Sequence, residues 1–258
     1  MKHFFSTVIH ILKQYHYFFV GVLLLLMFIF QITSAVQETQ TIDEGVHLSA
    51  GYSYLLTGDF RMNMEHPPLA KELSALPLAL LNQSLDSPFG ADSWDERNQW
   101  QFAKDLLYDN TWHADLLFLL GRLPIMLLSL LLGIYVYRFT RELWGTLPGL
   151  FALVLFAFSP TVIAHSRYIT TDMAVTAFFF ITIYYFYKYL KTNTWHVLIL
   201  TGVFFGCAQA SKFSALVLAG ILPIIYLIAI AIKKPQWTVL KILKHAVATF
   251  AVIFLLGG

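Results

Sequence analysis

Six long apolar runs and the start of a seventh constrain this chain more than any other feature. A helix needs about 20 mainly apolar residues to cross a bilayer. Hydrophobic residues make up 58% of the 258 residues and charged residues only 12%, unlike a soluble domain. The runs cover Tyr17 to Val36, Leu116 to Tyr137, Leu147 to Ala164, Met173 to Leu190, Val197 to Ala210, Phe213 to Ile232 and a stretch from about Ala246. We therefore predict an all-α, polytopic transmembrane helix bundle with about seven spans.

The distribution of basic residues predicts the orientation of these spans. If the N-terminus is cytoplasmic, most lysines and arginines fall on the inside, and the short outer loops carry only Arg167 and Lys212. Cytoplasmic loops are enriched in Lys and Arg. We expect an integral protein of a bacterial cytoplasmic membrane with its N-terminus inside.

One long outer loop, residues 37–115, separates the first two spans and contains the segment MEHPPLAK, Met64 to Lys71. A loop of this length usually has a function. Its apolar periodicity predicts an interfacial helix over Leu69 to Leu81 and a more polar helix over Trp94 to Tyr108. Proline is tolerated in the first turn of a helix and disfavours the helical conformation in the residue before it, so Pro67 and Pro68 predict the start of the first of these helices.

Three polar clusters fall on the outer side of the predicted spans. Ionisable groups at membrane depth cost a few kcal/mol and by default mark function. We therefore expect them to meet in one wet pocket at the extracytoplasmic face. The clusters are Asp43 with Glu44, Glu65 with His66, and Arg167 with Asp172, Ser211 and Lys212.

Each cluster also has a purely structural interpretation. Asp43 and Glu44 could be a solvated acidic pair, and Asp172 could stabilise the start of a helix. Arg167 and Lys212 could extend to the lipid headgroups. Glu65 and His66 could hold a metal ion, although two ligands alone do not define a site.

The combination of a carboxylate with cations at a membrane surface suits one class of chemistry. A carboxylate can act as a general base on an acceptor hydroxyl. Basic groups can hold a lipid-linked phosphate and stabilise the charge that develops as it leaves. The pattern thus favours transfer of a group from a lipid phosphate.

The order of motifs resembles that of GT-C class membrane glycosyltransferases, the protein O-mannosyltransferase and aminoarabinose transferase type. The matching blocks are DEGVHLSAGYSYLLTGDFRMNMEHPPLAK, GRLPIMLLSLLLGIYVYRFTRELWG, FSPTVIAHSRYITTDMAVTAFFF and GVFFGCAQASKFSAL. The resemblance implies one GT-C-like module over residues 1–258. Because the family usually continues through further spans, it also implies that a C-terminal half is missing.

The resemblance further implies partners and residue roles. The donor is a polyprenyl-phosphate-linked sugar, the acceptor is a hydroxyl of a protein, lipid or glycan, and transfer inverts the anomeric centre. A divalent metal is used by some members, membrane lipids surround the module, and no nucleic acid is involved. The implied roles are Asp43 as catalytic base with Glu44 as its neighbour, Asp172 as a positioning acid, and Glu65, His66, Arg167 and Lys212 as substrate-binding residues.

Two other functions stay open at the level of sequence. A transporter or flippase would line its pathway with ionisable residues, although it would place them near the midplane rather than on one side. A truncated, non-catalytic homologue could bind a polyprenyl lipid without turnover.

Overall fold

The computed structural model describes residues 2–233 and 239–257, and these are mostly helical, with no strand among them. The chain forms two compact units. The first unit contains residues 1–64 and 70–173, and the second contains residues 65–69 and 174–258.

The first unit contains nine α-helices within the described residues, together with the start of a tenth. These are α1 (Lys2–Gln14), α2 (His16–Ala35), α3 (Ile42–Thr57), α4 (Leu69–Leu80), α5 (Asp92–Asp95), α6 (Gln99–Leu107), α7 (Ala114–Trp144), α8 (Thr146–Ala157) and α9 (Pro160–Ser166). The helices that continue through the second unit are α10 (Thr171–Thr192), α11 (Trp195–Gln209), α12 (Val217–Lys233) and α13 (Val239–Gly257).

The predicted all-helical class is confirmed, but the count of about seven spans is not. Four helices are long and apolar enough to cross a membrane: His16–Ala35, Ala114–Trp144, Thr171–Thr192 and Phe213–Ile232. Helices α8 and α9 add a fifth only if they form one span bent by 62°. The remaining apolar helices, Trp195–Gln209 and Leu243–Leu255, are shorter than a full span.

The bend between α8 and α9 has a local cause. Ser159 caps α9 by accepting a hydrogen bond from the backbone N–H of Val162 at 3.5 Å, and Pro160 occupies the first turn. Proline cannot donate a hydrogen bond to the preceding turn. The apolar run from Leu147 therefore contains two helices rather than one continuous span.

The loop between the first two apolar runs, residues 37–115, is more helical than its sequence predicts. Helix α4 begins at Leu69, directly after the two prolines, as expected. The predicted helix from Trp94 is wrong as a continuous element, because Arg97 adopts φ of 57° and separates α5 from α6. Helix α3 was not predicted.

The core of the first unit packs the helices of loop 37–115 against α7. One buried apolar cluster contains Leu48 and Tyr52 of α3, Leu78 of α4, Leu107 of α6 and Leu117 of α7.

Helices α3 and α4 approach each other closely at Gly51. A Cβ atom on Gly51 would lie only 2.1 Å from the carbonyl oxygen of Lys71. Only glycine allows the two backbones to come so near.

The second unit has an aromatic core. Tyr226 of α12 hydrogen-bonds to Thr249 of α13 at 3.0 Å and to Nδ1 of His245 at 2.6 Å. Phe205 of α11 packs edge-on against Phe254 of α13, with ring centroids 5.3 Å apart. These contacts hold α11, α12 and α13 together.

Candidate active site

The central polar feature of the first unit is an ion pair between Glu44 in α3 and Arg122 in α7. Nε of Arg122 donates to Oε1 of Glu44 and Nη2 donates to Oε2, both at 2.8 Å. The Glu44 side chain is 0% exposed and the Arg122 side chain 3%. Two parallel N–H···O bonds between planar groups fix orientation as well as distance. The pair therefore joins α3 to α7 in one defined arrangement.

Arg122 also anchors the connection between α2 and α3. Its Nη1 donates to the carbonyl oxygens of Ala35 at 2.8 Å and Glu38 at 3.2 Å, and its Nη2 donates to that of Thr39 at 3.2 Å. A guanidinium has five N–H donors in a fixed plane, so one side chain can serve all of these acceptors. Arg122 thereby holds the chain that leads into α3.

A capping box sets the start of α3. The backbone N–H of Thr41 donates to Oε2 of Glu44 at 2.8 Å, and the side-chain hydroxyl of Thr41 donates to the same oxygen at 3.2 Å. The backbone N–H of Ile169 donates to Oε1 at 3.1 Å. The Glu44 carboxylate is thus buried and bonded at both oxygens, which favours a positioning role. The catalytic role suggested for it by the resemblance stays a prediction.

Asp43 has the opposite environment, although it is the neighbour of Glu44. Its side chain is exposed in the first turn of α3. Within the described residues it makes no hydrogen bond or ion pair to another side chain. The helix thus places two adjacent acids in different environments. The Glu44 carboxylate is buried and paired with a cation, whereas the Asp43 carboxylate is accessible.

Arg167 lies in the same network and does not extend to solvent, since it is only 8% exposed. Its Nη1 pairs with Oε2 of Glu38 at 2.5 Å, and the hydroxyl of Tyr168 donates to that oxygen at 2.7 Å. The hydrogen bonds from Tyr168 and Arg167 lower the pKa of Glu38. The same bond to Glu38 raises the pKa of Tyr168. Glu38 is therefore held as an anion.

Two buried polar groups of this region have no hydrogen-bond partner among the described residues. They are Nε of Arg167 and the hydroxyl of Thr170. Buried polar groups are normally hydrogen-bonded, so unpaired ones suggest a partner outside the chain. A cavity of about 290 Å³ lies beside Glu38 and Arg122, the partners of Arg167 and Glu44, but Arg167 and Thr170 do not line it.

The structure brings the first predicted cluster, Asp43 with Glu44, and part of the third, Arg167 with Asp172, into one region of the first unit. Hydrogen bonds from Ile169 to Glu44, and from Tyr168 to Glu38, connect the turn before α10 to the start of α3. Asp172 follows this turn, in the first turn of α10.

The other candidates belong to the second unit. Glu65 is exposed, while His66 and Lys212 are half-buried. The backbone N–H of Leu69 donates to the carbonyl of Ala210 at 2.9 Å, which holds the EHPPL segment beside the end of α11. Glu65 and His66 are thus tied to the turn that carries Lys212. Whether the candidates of the two units share one pocket stays a prediction.

The metal site suggested for Glu65 and His66 gains no support. Over residues 2–233 and 239–257, no group of three or more His, Cys, Asp or Glu side chains could hold a metal ion.

Sequence reasoning missed Arg122, Glu38 and Tyr168. Arg122 had a detectable signal, because a charge inside an apolar run is by default functional. Glu38 and Tyr168 had none, since their pairing joins parts of the chain 130 residues apart.

Apolar helices of spanning length, with a buried ion pair and an exposed acid next to it, define an integral membrane protein with a candidate catalytic site. The family model described as dolichyl-phosphate-mannose-protein mannosyltransferase matches residues 117–257, more than half of the chain. The chain therefore belongs to this family and is a membrane glycosyltransferase that uses a lipid-linked sugar. The matched region includes Arg122, Arg167, Asp172 and Lys212 but not the acids of the first loop. No curated protein and no solved structure matches the chain.

Proposed function

We propose that the protein transfers a sugar from a polyprenyl-phosphate donor to an acceptor hydroxyl at the extracytoplasmic face of a bacterial cytoplasmic membrane, with inversion. Asp43 is the general base. The observation that supports this assignment is the contrast between the two acids at the start of α3. The Glu44 carboxylate is occupied by Arg122, Thr41 and Ile169, whereas that of Asp43 is exposed.

In the proposed reaction, a carboxylate oxygen of Asp43 takes the proton of the acceptor hydroxyl. The hydroxyl oxygen forms a bond to the anomeric carbon, and the bond from that carbon to the phosphate oxygen breaks. The electron pair of that bond leaves with the polyprenyl phosphate, whose negative charge increases as the sugar departs. Attack opposite the leaving group accounts for inversion.

The departing phosphate needs hydrogen-bond donors and positive charge. Arg167 and Thr170 provide two buried groups without hydrogen-bond partners. Glu38 occupies Nη1 of Arg167, so the Nε edge is the one that would meet a phosphate oxygen. We assign Lys212 and His66 to the same donor.

The other two acids have roles that do not involve proton transfer. Asp172 is proposed to position the acceptor or the adjoining turn. Glu65 is proposed to contact the sugar, because it lies beside His66 in the segment held by the end of α11.

The test is a transfer assay with the purified protein in proteoliposomes. The protein is incubated with a panel of radiolabelled polyprenyl-phosphate sugars, and the labelled product is identified. We expect Asp43→Asn to lower transfer by about 10² to 10⁴, the usual contribution of a general base. The matched control is Asp92→Asn, which removes another exposed aspartate from the first turn of a helix in the same loop.

Transfer by Asp43→Asn within a few-fold of wild type, at equal expression, would remove Asp43 from the role of base. A protein that moves solute across the bilayer but labels no acceptor would instead support a transporter. Binding of the polyprenyl lipid without turnover would support a non-catalytic homologue.

A further inference from the structure

A second cavity lies on the first unit, toward the opposite end of α2 and α7 from the Glu44 and Arg122 pair. Its volume is about 740 Å³, within the range of ligand-binding cavities. Arg122 and Arg138 are 16 residues apart on one helix, so the two ends are separated by about 24 Å. This cavity is therefore distinct from the candidate active site.

The walls of the cavity are apolar along the spans and basic at the helix end. Val20 and Leu24 of α2 and Ile134 of α7 line the apolar part, and Arg138 and Arg141 line the other. This combination matches the two parts of a phospholipid, because acyl chains require apolar walls and a phosphate requires guanidinium donors.

The guanidinium of Arg141 is held in place by aromatic side chains. Its Nη1 donates to the hydroxyl of Tyr17 at 3.0 Å, and its carbon lies 5.4 Å from the Tyr17 ring centroid and 6.0 Å from that of Tyr137. The hydroxyl of Tyr137 is itself hydrogen-bonded to Nδ1 of His16 at 2.7 Å. With five donors, a guanidinium can bond Tyr17 and a phosphate together.

The local charge favours a singly charged phosphate. Glu142 also lines the cavity, so its acid and two arginines sum to a formal charge of +1. A phosphodiester carries one negative charge, whereas a phosphate monoester carries about 1.5 to 2 near neutral pH. On the predicted topology, this end faces the cytoplasmic leaflet, and basic pockets between spans on that side bind anionic headgroups.

We propose that this cavity binds an anionic glycerophospholipid of the phosphatidylglycerol type. The phosphodiester lies against Arg138 and Arg141, and an acyl chain follows α2 past Gly21. The proposal does not depend on the proposed function. Asp43→Asn is therefore expected to bind this lipid as tightly as wild type does.

Gly21 offers a way to block the cavity without touching the arginines. It lines the cavity, and a Cβ atom added there would meet no atom within 4 Å. Its backbone is helical, so a side chain introduces no strain. Gly21→Phe should therefore fold and fill the space. The matched control is Val22→Phe, which adds a ring at an exposed neighbour that does not line the cavity.

The experiment is native mass spectrometry of the detergent-purified protein, titrated with phosphatidylglycerol and with phosphatidylcholine of the same acyl chains. We expect phosphatidylglycerol to bind at least tenfold more tightly than phosphatidylcholine. Gly21→Phe, and separately the double variant Arg138→Gln and Arg141→Gln, should each weaken it at least tenfold. Val22→Phe should bind within twofold of wild type.

Each other outcome contradicts the proposal in a recognisable way. Equal binding of the two lipids by wild type would mean that the arginines do not recognise the headgroup. Gly21→Phe binding within twofold of wild type would mean that the lipid lies elsewhere. A polyprenyl phosphate that displaces phosphatidylglycerol at a lower concentration would assign the cavity to the carrier lipid instead.

Discussion

Replacing Arg122 with methionine should destabilise the first unit more than any loss of a surface charge. The change removes both bonds to Glu44 and the three to backbone carbonyls of the α2 to α3 connection, while keeping a side chain of similar length. The Glu44 carboxylate would stay buried with only the donors of Thr41 and Ile169.

The magnitude follows from burial. Removing one partner of a buried ion pair costs about 3 to 5 kcal/mol, because the other charge is left without compensation. In a protein of this size, 1 kcal/mol shifts the melting temperature by about 2 to 4 °C. We therefore expect Arg122→Met to lower the melting temperature by roughly 6 to 20 °C.

The assay is thermal denaturation in detergent at neutral pH, followed by circular dichroism or by loss of the monodisperse peak. Arg97→Met is the control, since Arg97 is exposed and should shift the transition by less than 2 °C, as surface substitutions usually do. Adding Glu44→Gln to Arg122→Met removes the unpaired charge and should recover part of the loss. A melting temperature within 2 °C of wild type for Arg122→Met would refute the reasoning, and so would losses that simply add in the double variant.

Two further predictions concern α3 and the connection that precedes it. Gly51→Ala should lower the melting temperature by several degrees, because the new Cβ would lie 2.1 Å from the backbone of Lys71 and force α3 away from α4. The control is Gly21→Ala, which adds a Cβ at an open site and should leave the melting temperature unchanged. The second concerns Glu38, whose pKa is lowered by hydrogen bonds from Tyr168 and Arg167. The Glu38 carboxylate therefore stabilises the fold above its ordinary pKa near 4.5, and this stabilisation is lost as the pH falls through the lowered pKa. Thermal stability measured across that range should therefore depend less on pH in Glu38→Gln, and identical pH profiles would contradict the assignment.

Composition alone determined the environment of this protein and its helical class. In a bilayer, backbone N–H and C=O groups must be satisfied within the chain, so long apolar runs are necessarily helical. Local chemistry also placed the start of α4 after Pro68, because proline restricts where a helix can begin. The start of α3 was equally available from the pair Thr41 and Glu44, whose spacing is that of a capping box.

Only the tertiary structure separated the roles of Asp43 and Glu44. Two adjacent acids are equivalent in a sequence, and their difference arises because the helix turns one toward solvent and the other toward Arg122, 78 residues away. The same holds for the pairing of Glu38 with Arg167 and Tyr168. The local sequence shows which residues are charged. Long-range packing decides which of those charges are neutralised and which stay accessible to a substrate.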